Sequence, residues 1–167
     1  MGRSNVGKSS LLNRLLGTAA ARIGKRPGKT RGIYFYDTQE GHQFADLPGA
    51  GFARVSMEER EGWADLAERL LTGGRVALTV HLIDPRVPEA AADLALRDYL
   101  AARGVPTLRV ATKWDRLSAQ ERANARRALQ KEHDAVLPVS AKTGEGIEVL
   151  RREIRRRIQE NERNNHG

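Results

Sequence analysis

Residues 2–9 read Gly-Arg-Ser-Asn-Val-Gly-Lys-Ser, a complete GxxxxGKS loop that begins one residue into the chain. Such a segment has few ways to fold. Its glycines let consecutive backbone N–H groups turn inward as a nest for anionic oxygens. Gly7, Lys8 and Ser9 open a helix whose N-terminal partial charge favours the same anion. Lys8 is placed to reach terminal phosphates, and the Ser9 hydroxyl to sit on Mg²⁺. Leu11, Leu12, Leu15 and Leu16, spaced by three and four, give that helix one buried face. A loop of this kind ordinarily hangs from the end of a buried strand. Only Met1 stands in that place, so the first strand is expected to be missing and the chain to be truncated at its N-terminus. A start placed too far downstream explains this, and a degraded paralogue is the alternative.

The remainder alternates strands with helices. Residues 17–32, glycine-rich and basic around Pro27-Gly28, read as a loop. Ile33 to Thr38 and Gln43 to Leu47 read as two strands joined by a turn at Glu40-Gly41. Ser56 with Glu59 forms a capping box for a helix that turns Trp63, Leu66, Ala67, Leu70 and Leu71 to one side and stops at Thr72-Gly73-Gly74. Val76 to Ile83 is an apolar run of the kind buried on both faces. A helix follows from Glu89 to Arg103, then a strand from Leu108 to Ala111, and a helix capped by Ser118 with Glu121. Val136 to Val139 is a last strand, with Pro138 marking an edge. The final helix points Ile147, Leu150, Ile154 and Ile158 inward. This order predicts a three-layer α/β fold with a mostly parallel sheet and ligands beyond the C-terminal strand ends. The 167 residues are expected to form one domain, 1–167. With no cysteine and no long apolar run, disulfides, cysteine-held metal and membrane-spanning helices are excluded.

Four further elements follow the first loop in order. Thr30, in Pro27-Gly28-Lys29-Thr30, is a candidate switch threonine whose hydroxyl completes a Mg²⁺ shell. Asp46-Leu47-Pro48-Gly49 is a DxxG element: Asp46 holds Mg²⁺ directly or through water, and the Gly49 N–H approaches the γ-phosphate. Thr112-Lys113-Trp114-Asp115 is a variant of NKxD, in which the Asp115 carboxylate accepts from guanine N1 and N2 and the Lys113 stem lies along the base. Thr112 replaces the usual Asn, removing one amide contact. Ser140-Ala141-Lys142 fits an SAK element whose backbone amide donates to guanine O6.

Together these residues resemble the EngB family of GTP-binding proteins. The likeness rests on Gly-Arg-Ser-Asn-Val-Gly-Lys-Ser-Ser from Gly2, Pro-Gly-Lys-Thr from Pro27, Phe35-Tyr36, Asp-Leu-Pro-Gly-Ala-Gly-Phe-Ala from Asp46, and Thr-Lys-Trp-Asp from Thr112. It implies a P-loop GTPase fold, GTP or GDP with Mg²⁺, and a large ribosomal subunit precursor as partner. Lys8, Thr30 and Gly49 are then the candidate catalytic residues. Gly2, Asn5, Val6, Gly7, Lys8, Ser9, Ser10, Thr112, Lys113, Asp115, Ser140, Ala141 and Lys142 hold the nucleotide; Ser9, Thr30 and Asp46 hold the metal. Ala50 stands where the family commonly has tyrosine and cannot orient water, so intrinsic hydrolysis is expected to be slow. Asn5 matches the phosphate-loop asparagine of cation-activated GTPases, which implies a K⁺ dependence.

The net charge of +8 favours a polyanionic partner, most often nucleic acid, and is consistent with the ribosomal precursor and its rRNA that the resemblance implies. Lys25, Arg26, Lys29 and Arg31 are RNA or phosphate candidates. Arg151, Arg152, Arg155, Arg156 and Arg157 on the last helix are either RNA contacts or a solvated face. His81 is expected to be a satisfied core histidine. A monomer is expected, without membrane association, in the cytoplasm of a bacterium or the interior of an organelle. Two other readings stay open: a non-hydrolysing RNA-binding assembly module on the same fold, and a P-loop ATPase or kinase, which Asp115 disfavours.

Overall fold

The computed structural model describes residues 1–2, 5–20, 26–27, 33–38, 41–47, 57–87, 90–130 and 136–165. In chain order these give α1 (Lys8–Ala20), β1 (Arg26–Pro27), β2 (Tyr34–Asp37), β3 (Gln43–Asp46), α2 (Met57–Thr72), β4 (Thr79–Ile83), α3 (Ala91–Ala102), β5 (Thr107–Ala111), α4 (Ala119–Gln130), β6 (Val136–Pro138) and α5 (Ile147–Asn165). A 3₁₀ turn, Trp114–Arg116, follows β5.

The strands form two sheets. β4, β5 and β6 are parallel, with Val80 opposite Leu108 and Val110 opposite Leu137. β1, β2 and β3 are antiparallel, with Phe35 opposite Ala45. The expectation of one mostly parallel sheet is therefore refined: among the described residues, no ladder joins β3 to β4. What occupies the outer edge of β4 is a single parallel bridge from Gly2 to Leu82.

Alternation along the parallel strands creates the layers. Leu82, Leu108 and Val110 join Val6, Leu11, Leu150 and Ile154, so α1 and α5 cover one face. Ile83 and Ala111, one residue out of phase, join Leu117, Ala125 and Leu129, so α4 covers the other. His81 and Arg109 share that second parity. His81 meets Asp93 of α3, which places α3 on the same side.

Local chemistry explains most boundaries. Ser118 Oγ accepts from the Glu121 N–H at 3.3 Å, and the Glu121 carboxylate accepts from the Ser118 N–H at 2.7 Å, the reciprocal cap expected of that pair. Gly17 leaves helical geometry at φ 73° inside α1, where the sequence predicts a loop to begin. Pro138 lies on β6, which among the described residues pairs only with β5.

Several expectations are corrected. β4 starts at Thr79 rather than Val76, because its ladder begins where Pro106 accepts from the Thr79 N–H and β5 begins. Helix α3 runs Ala91–Ala102 rather than from Glu89. Part of the predicted loop forms β1, because Arg26 and Pro27 reach the free edge of β2, where a proline is tolerated. His81 is fully buried, but among the described residues neither ring nitrogen makes a hydrogen bond; Nε2 lies 3.8 Å from Asp93. The Ser56 cap and the Trp63 side chain lie outside the described residues.

Candidate functional site

The described motif residues gather along one rim, beside the C-terminal ends of the parallel strands. The GxxxxGKS loop leaves the sheet at Gly2. A Cβ there would lie 2.6 Å from the Leu82 carbonyl, so only glycine lets the chain run this close to β4. Val6 is buried and pins the loop to the core. Gly7 turns at φ 103°, a conformation that a side chain resists, and α1 follows at once. Ser9 and Ser10 are exposed on its first turn, which carries no acidic side chain to compete for an anion.

Lys8 points across to the other sheet. Its Nζ is bonded to the Asp46 carboxylate and donates to the Leu47 carbonyl at 2.6 Å. The candidate phosphate lysine and the candidate metal carboxylate are thus partners. Thr30, Gly49 and Ala50 lie outside the described residues, as do Arg3 and Ser4.

At the other end, the TKWD segment is built around Trp114. Its side chain is fully buried against α4, and its backbone N–H donates to the Val139 carbonyl at 3.1 Å. With that ring as anchor, Asp115 is half-buried at the rim. The Ser140 hydroxyl donates to its Oδ1 at 2.6 Å and itself accepts from the Thr143 N–H at 3.1 Å. This hydroxyl, with Lys142 and Arg116 helping, holds the Asp115 carboxyl below its ordinary range, so it is ionised at neutral pH. Gly146 allows the tight return into α5, since a Cβ there would lie 2.3 Å from the Pro138 carbonyl. Ala141 packs on the core, and Lys142 is exposed beside it.

Two roles are visible only in three dimensions. The Thr112 hydroxyl donates to the Val6 carbonyl at 2.5 Å and sits 3.3 Å from that of Ile83. The replaced Asn therefore does not leave a gap: its substitute ties the phosphate loop to β4 and β5. Lys113, in left-handed geometry at φ 55°, sends Nζ to the Asn5 carbonyl and lies 3.8 Å from Asp84. Its stem passes over Gly7, where a Cβ would be 3.7 Å away. Asp84 was not singled out by any motif, although an Asp directly after the apolar run to Ile83 was a usable signal. Arg86 bonds it through Nε at 2.9 Å and Nη2 at 2.6 Å, which lowers its pKa.

The arginines of α5 answer largely to neighbours. Arg156 bridges Glu153 and Glu160, Arg157 bonds Glu153 and the Thr107 carbonyl, and Arg151 bonds the Arg14 carbonyl. Those three are engaged by partners within the protein.

A family model described as a 50S ribosome-binding GTPase matches residues 1–113. A probable GTP-binding protein EngB from Gemmatimonas aurantiaca is 44% identical over 156 residues, covering 90% of this chain and 76% of its own length. The protein of the same name from Acidobacterium capsulatum is 41% identical over 166 residues, covering 93% and 79%. Among solved structures, that of a probable GTP-binding protein engB superposes with a TM-score of 0.73 at 30% identity, covering 95% of this chain and 96% of that one.

Proposed function

Because the chain belongs to the EngB family of GTP-binding proteins, we propose that it binds GTP and GDP and hydrolyses GTP as a switch in assembly of the large ribosomal subunit. The observation that carries this reading is the continuity of the rim. Asp115 stands at one end, Lys8 with Asp46 at the other, and Thr112 and Lys113 hold the loop between them by its own carbonyls.

On this reading Asp115 accepts from guanine N1 and N2. Adenine offers no such donors and would strand a desolvated carboxylate. Ser140 holds that carboxylate in place, the Ala141 amide donates to O6, and the Lys113 stem covers the base. Gly2 to Ser10 wrap the phosphates, for which Lys8 exchanges Asp46. Ser9, Thr30 and Asp46 are oxygen donors suited to Mg²⁺. Among the described residues no cluster of three or more His, Cys, Asp or Glu could hold a metal, which fits an ion bound mainly by phosphates and water. Bound there, Mg²⁺ neutralises charge on the transferred phosphoryl group. Thr30 and the Gly49 N–H report the γ-phosphate. Asn5 recruits K⁺, and Ala50 leaves the attacking water unoriented, so turnover is slow.

The partner on this reading is an rRNA-rich precursor drawn by the net charge of +8, met by a cytoplasmic monomer. No helix among the described residues is long and apolar enough to cross a membrane. Titration calorimetry tests the core of the proposal: GDP should bind at least about 10²-fold more tightly than ADP, and comparable affinities would overturn it. Equal GTP turnover in K⁺ and Na⁺ buffers would remove the K⁺ assignment. The alanine at position 50 also favours a second reading, a non-hydrolysing assembly module. Tight GDP binding with no phosphate release in single-turnover assays would establish that one instead.

A further inference from the structure

Strands β4 and β5 end in step, with Ile83 opposite Ala111, and the Thr112 N–H donates to the Ile83 carbonyl at 3.1 Å. Beyond that pair the two chains carry opposite charges, Asp84 after β4 and Lys113 after β5. Lys113 crosses from its own strand to the Asn5 carbonyl, starting from left-handed backbone and passing over Gly7. A lysine stem is long and flexible, so something else must fix that course. Among the described residues, its ammonium meets one hydrogen-bond acceptor, Asn5, and one carboxylate, Asp84, with Nζ 3.8 Å from Oδ2. That separation is too long for a hydrogen bond, yet short enough for a strong charge interaction where water is scarce. Both side chains are largely withdrawn from solvent, at 21% and 15% exposed.

Asp84 is itself held still. Arg86 donates to Oδ1 through its backbone N–H at 3.1 Å and Nε at 2.9 Å, and to Oδ2 through Nη2 at 2.6 Å. The Val87 N–H closes the same turn on the Asp84 carbonyl at 3.0 Å. Two prongs on two oxygens fix the plane of the carboxylate, which a lysine at that position could not do. The acid therefore cannot swing to Lys113 and draw the ammonium away from Asn5. Arg86 is 46% exposed, so water screens its repulsion of Lys113 more than it screens the attraction of Asp84.

We propose that Asp84, gripped by Arg86, is a positioning residue for Lys113: a fixed negative charge that keeps the ammonium on the Asn5 carbonyl and the stem across the phosphate loop. On the nucleotide reading above, which this role presupposes, the stem is then ready to cover the base before a nucleotide arrives. Lys8 differs. Its acid, Asp46, is to be exchanged for phosphates, whereas Lys113 keeps its acid throughout. The contribution is the same in the ground state and the transition state, so it belongs to binding and not to the chemical step.

The test compares Asp84→Asn, which removes the charge at nearly constant shape, with Lys113→Met and the double variant, all in the 167-residue chain. Stopped-flow release of a fluorescent GDP should be about tenfold faster in Asp84→Asn. The KM for GTP should rise by a similar factor, with kcat within about twofold of the unsubstituted chain. The double variant should release GDP no faster than Lys113→Met alone, because the acid acts only through that lysine. Arg86→Gln keeps the acid but lets it swing, and should release GDP about threefold faster; it carries the test if Asp84→Asn melts below the assay temperature. The proposal is overturned by unchanged release in Asp84→Asn or Arg86→Gln, by effects of Asp84→Asn and Lys113→Met that multiply, or by a fall in kcat at constant KM. Equal affinity of the unsubstituted chain for GDP and ADP overturns the nucleotide reading itself, and this role with it.

Discussion

The two ends of the rim, proposed to face guanine at Asp115 and phosphates at Lys8, are built in different ways. Around Asp115 the parallel ladder is continuous, and Val110, Ala111, Trp114, Val139 and Leu150 are fully shielded from solvent. Around Asp46 the chain belongs to a separate antiparallel sheet, where Tyr34 and Phe35 are 43% and 36% exposed. The link from α1 to β3 and the residue after it is polar, from Lys8 to Asp46 and Leu47. On the proposed reading, purine selection rests on preorganised, close-packed structure. The grip on phosphates and metal would then reach across a seam, and the lysine that bridges it would have to let go of the acid when a nucleotide arrives.

The largest expected effect lies at the guanine-facing end. Asp115→Asn removes two hydrogen bonds to a charged acceptor, and GDP affinity should fall by about 10²–10⁴-fold while xanthine nucleotides gain. Competition with a fluorescent guanine nucleotide measures both. Unchanged GDP affinity would mean that the seam, not the purine pocket, dominates binding.

Leu150→Ala, in the shielded half, should lower unfolding free energy by about 2–5 kcal/mol in urea. Phe44→Ala, at the seam, should cost less than half as much, because Phe44 is only partly buried. Similar losses would show the halves to be equally packed.

His81 gives the parallel half a pH dependence. Burial, then the Met1 amino group, Arg109 and Arg97, lower its pKa from 6.5 to about 4, with Asp93 facing it from α3. A depressed folded pKa contributes stability that is complete above 6.5 and disappears as pH falls through 4. The change is about 3 kcal/mol, read as urea midpoints at pH 7 and pH 4. His81→Leu should flatten that slope.

Smaller still, Ser140→Ala removes one hydrogen bond from the Asp115 carboxylate. GDP affinity should drop about fivefold to tenfold, and the Asp115 pKa, by NMR titration, should return toward its ordinary value. No change in either would mean that Trp114 alone positions the acid.

Much of this was legible in order along the chain. The apolar spacing of α5 placed Ile147, Leu150, Ile154 and Ile158, all of which are buried. The Ser118–Glu121 cap and the edge position of Pro138 were legible for the same reason: each depends on a few neighbouring residues and a local geometry. Thr112 was not, because its acceptor, the Val6 carbonyl, is 106 residues away. Ser140 was read for its following amide, and its hydroxyl acquired a role only once β5 and β6 set it beside Asp115. The hydrogen-bond deficit of His81 likewise depends on which residues of α3 and β5 close over it.

Residue order alone was enough for the layered α/β plan and the membership of the nucleotide motifs, because these follow from backbone conformation and periodic burial within short windows. Tertiary structure decided how those pieces hold one another: that Thr112 and Lys113 fasten the phosphate loop, and that Lys8 rests on Asp46. Hydrogen bonds between distant segments and the packing of helices over a shared sheet have no local signature, so only folding the chain reveals them.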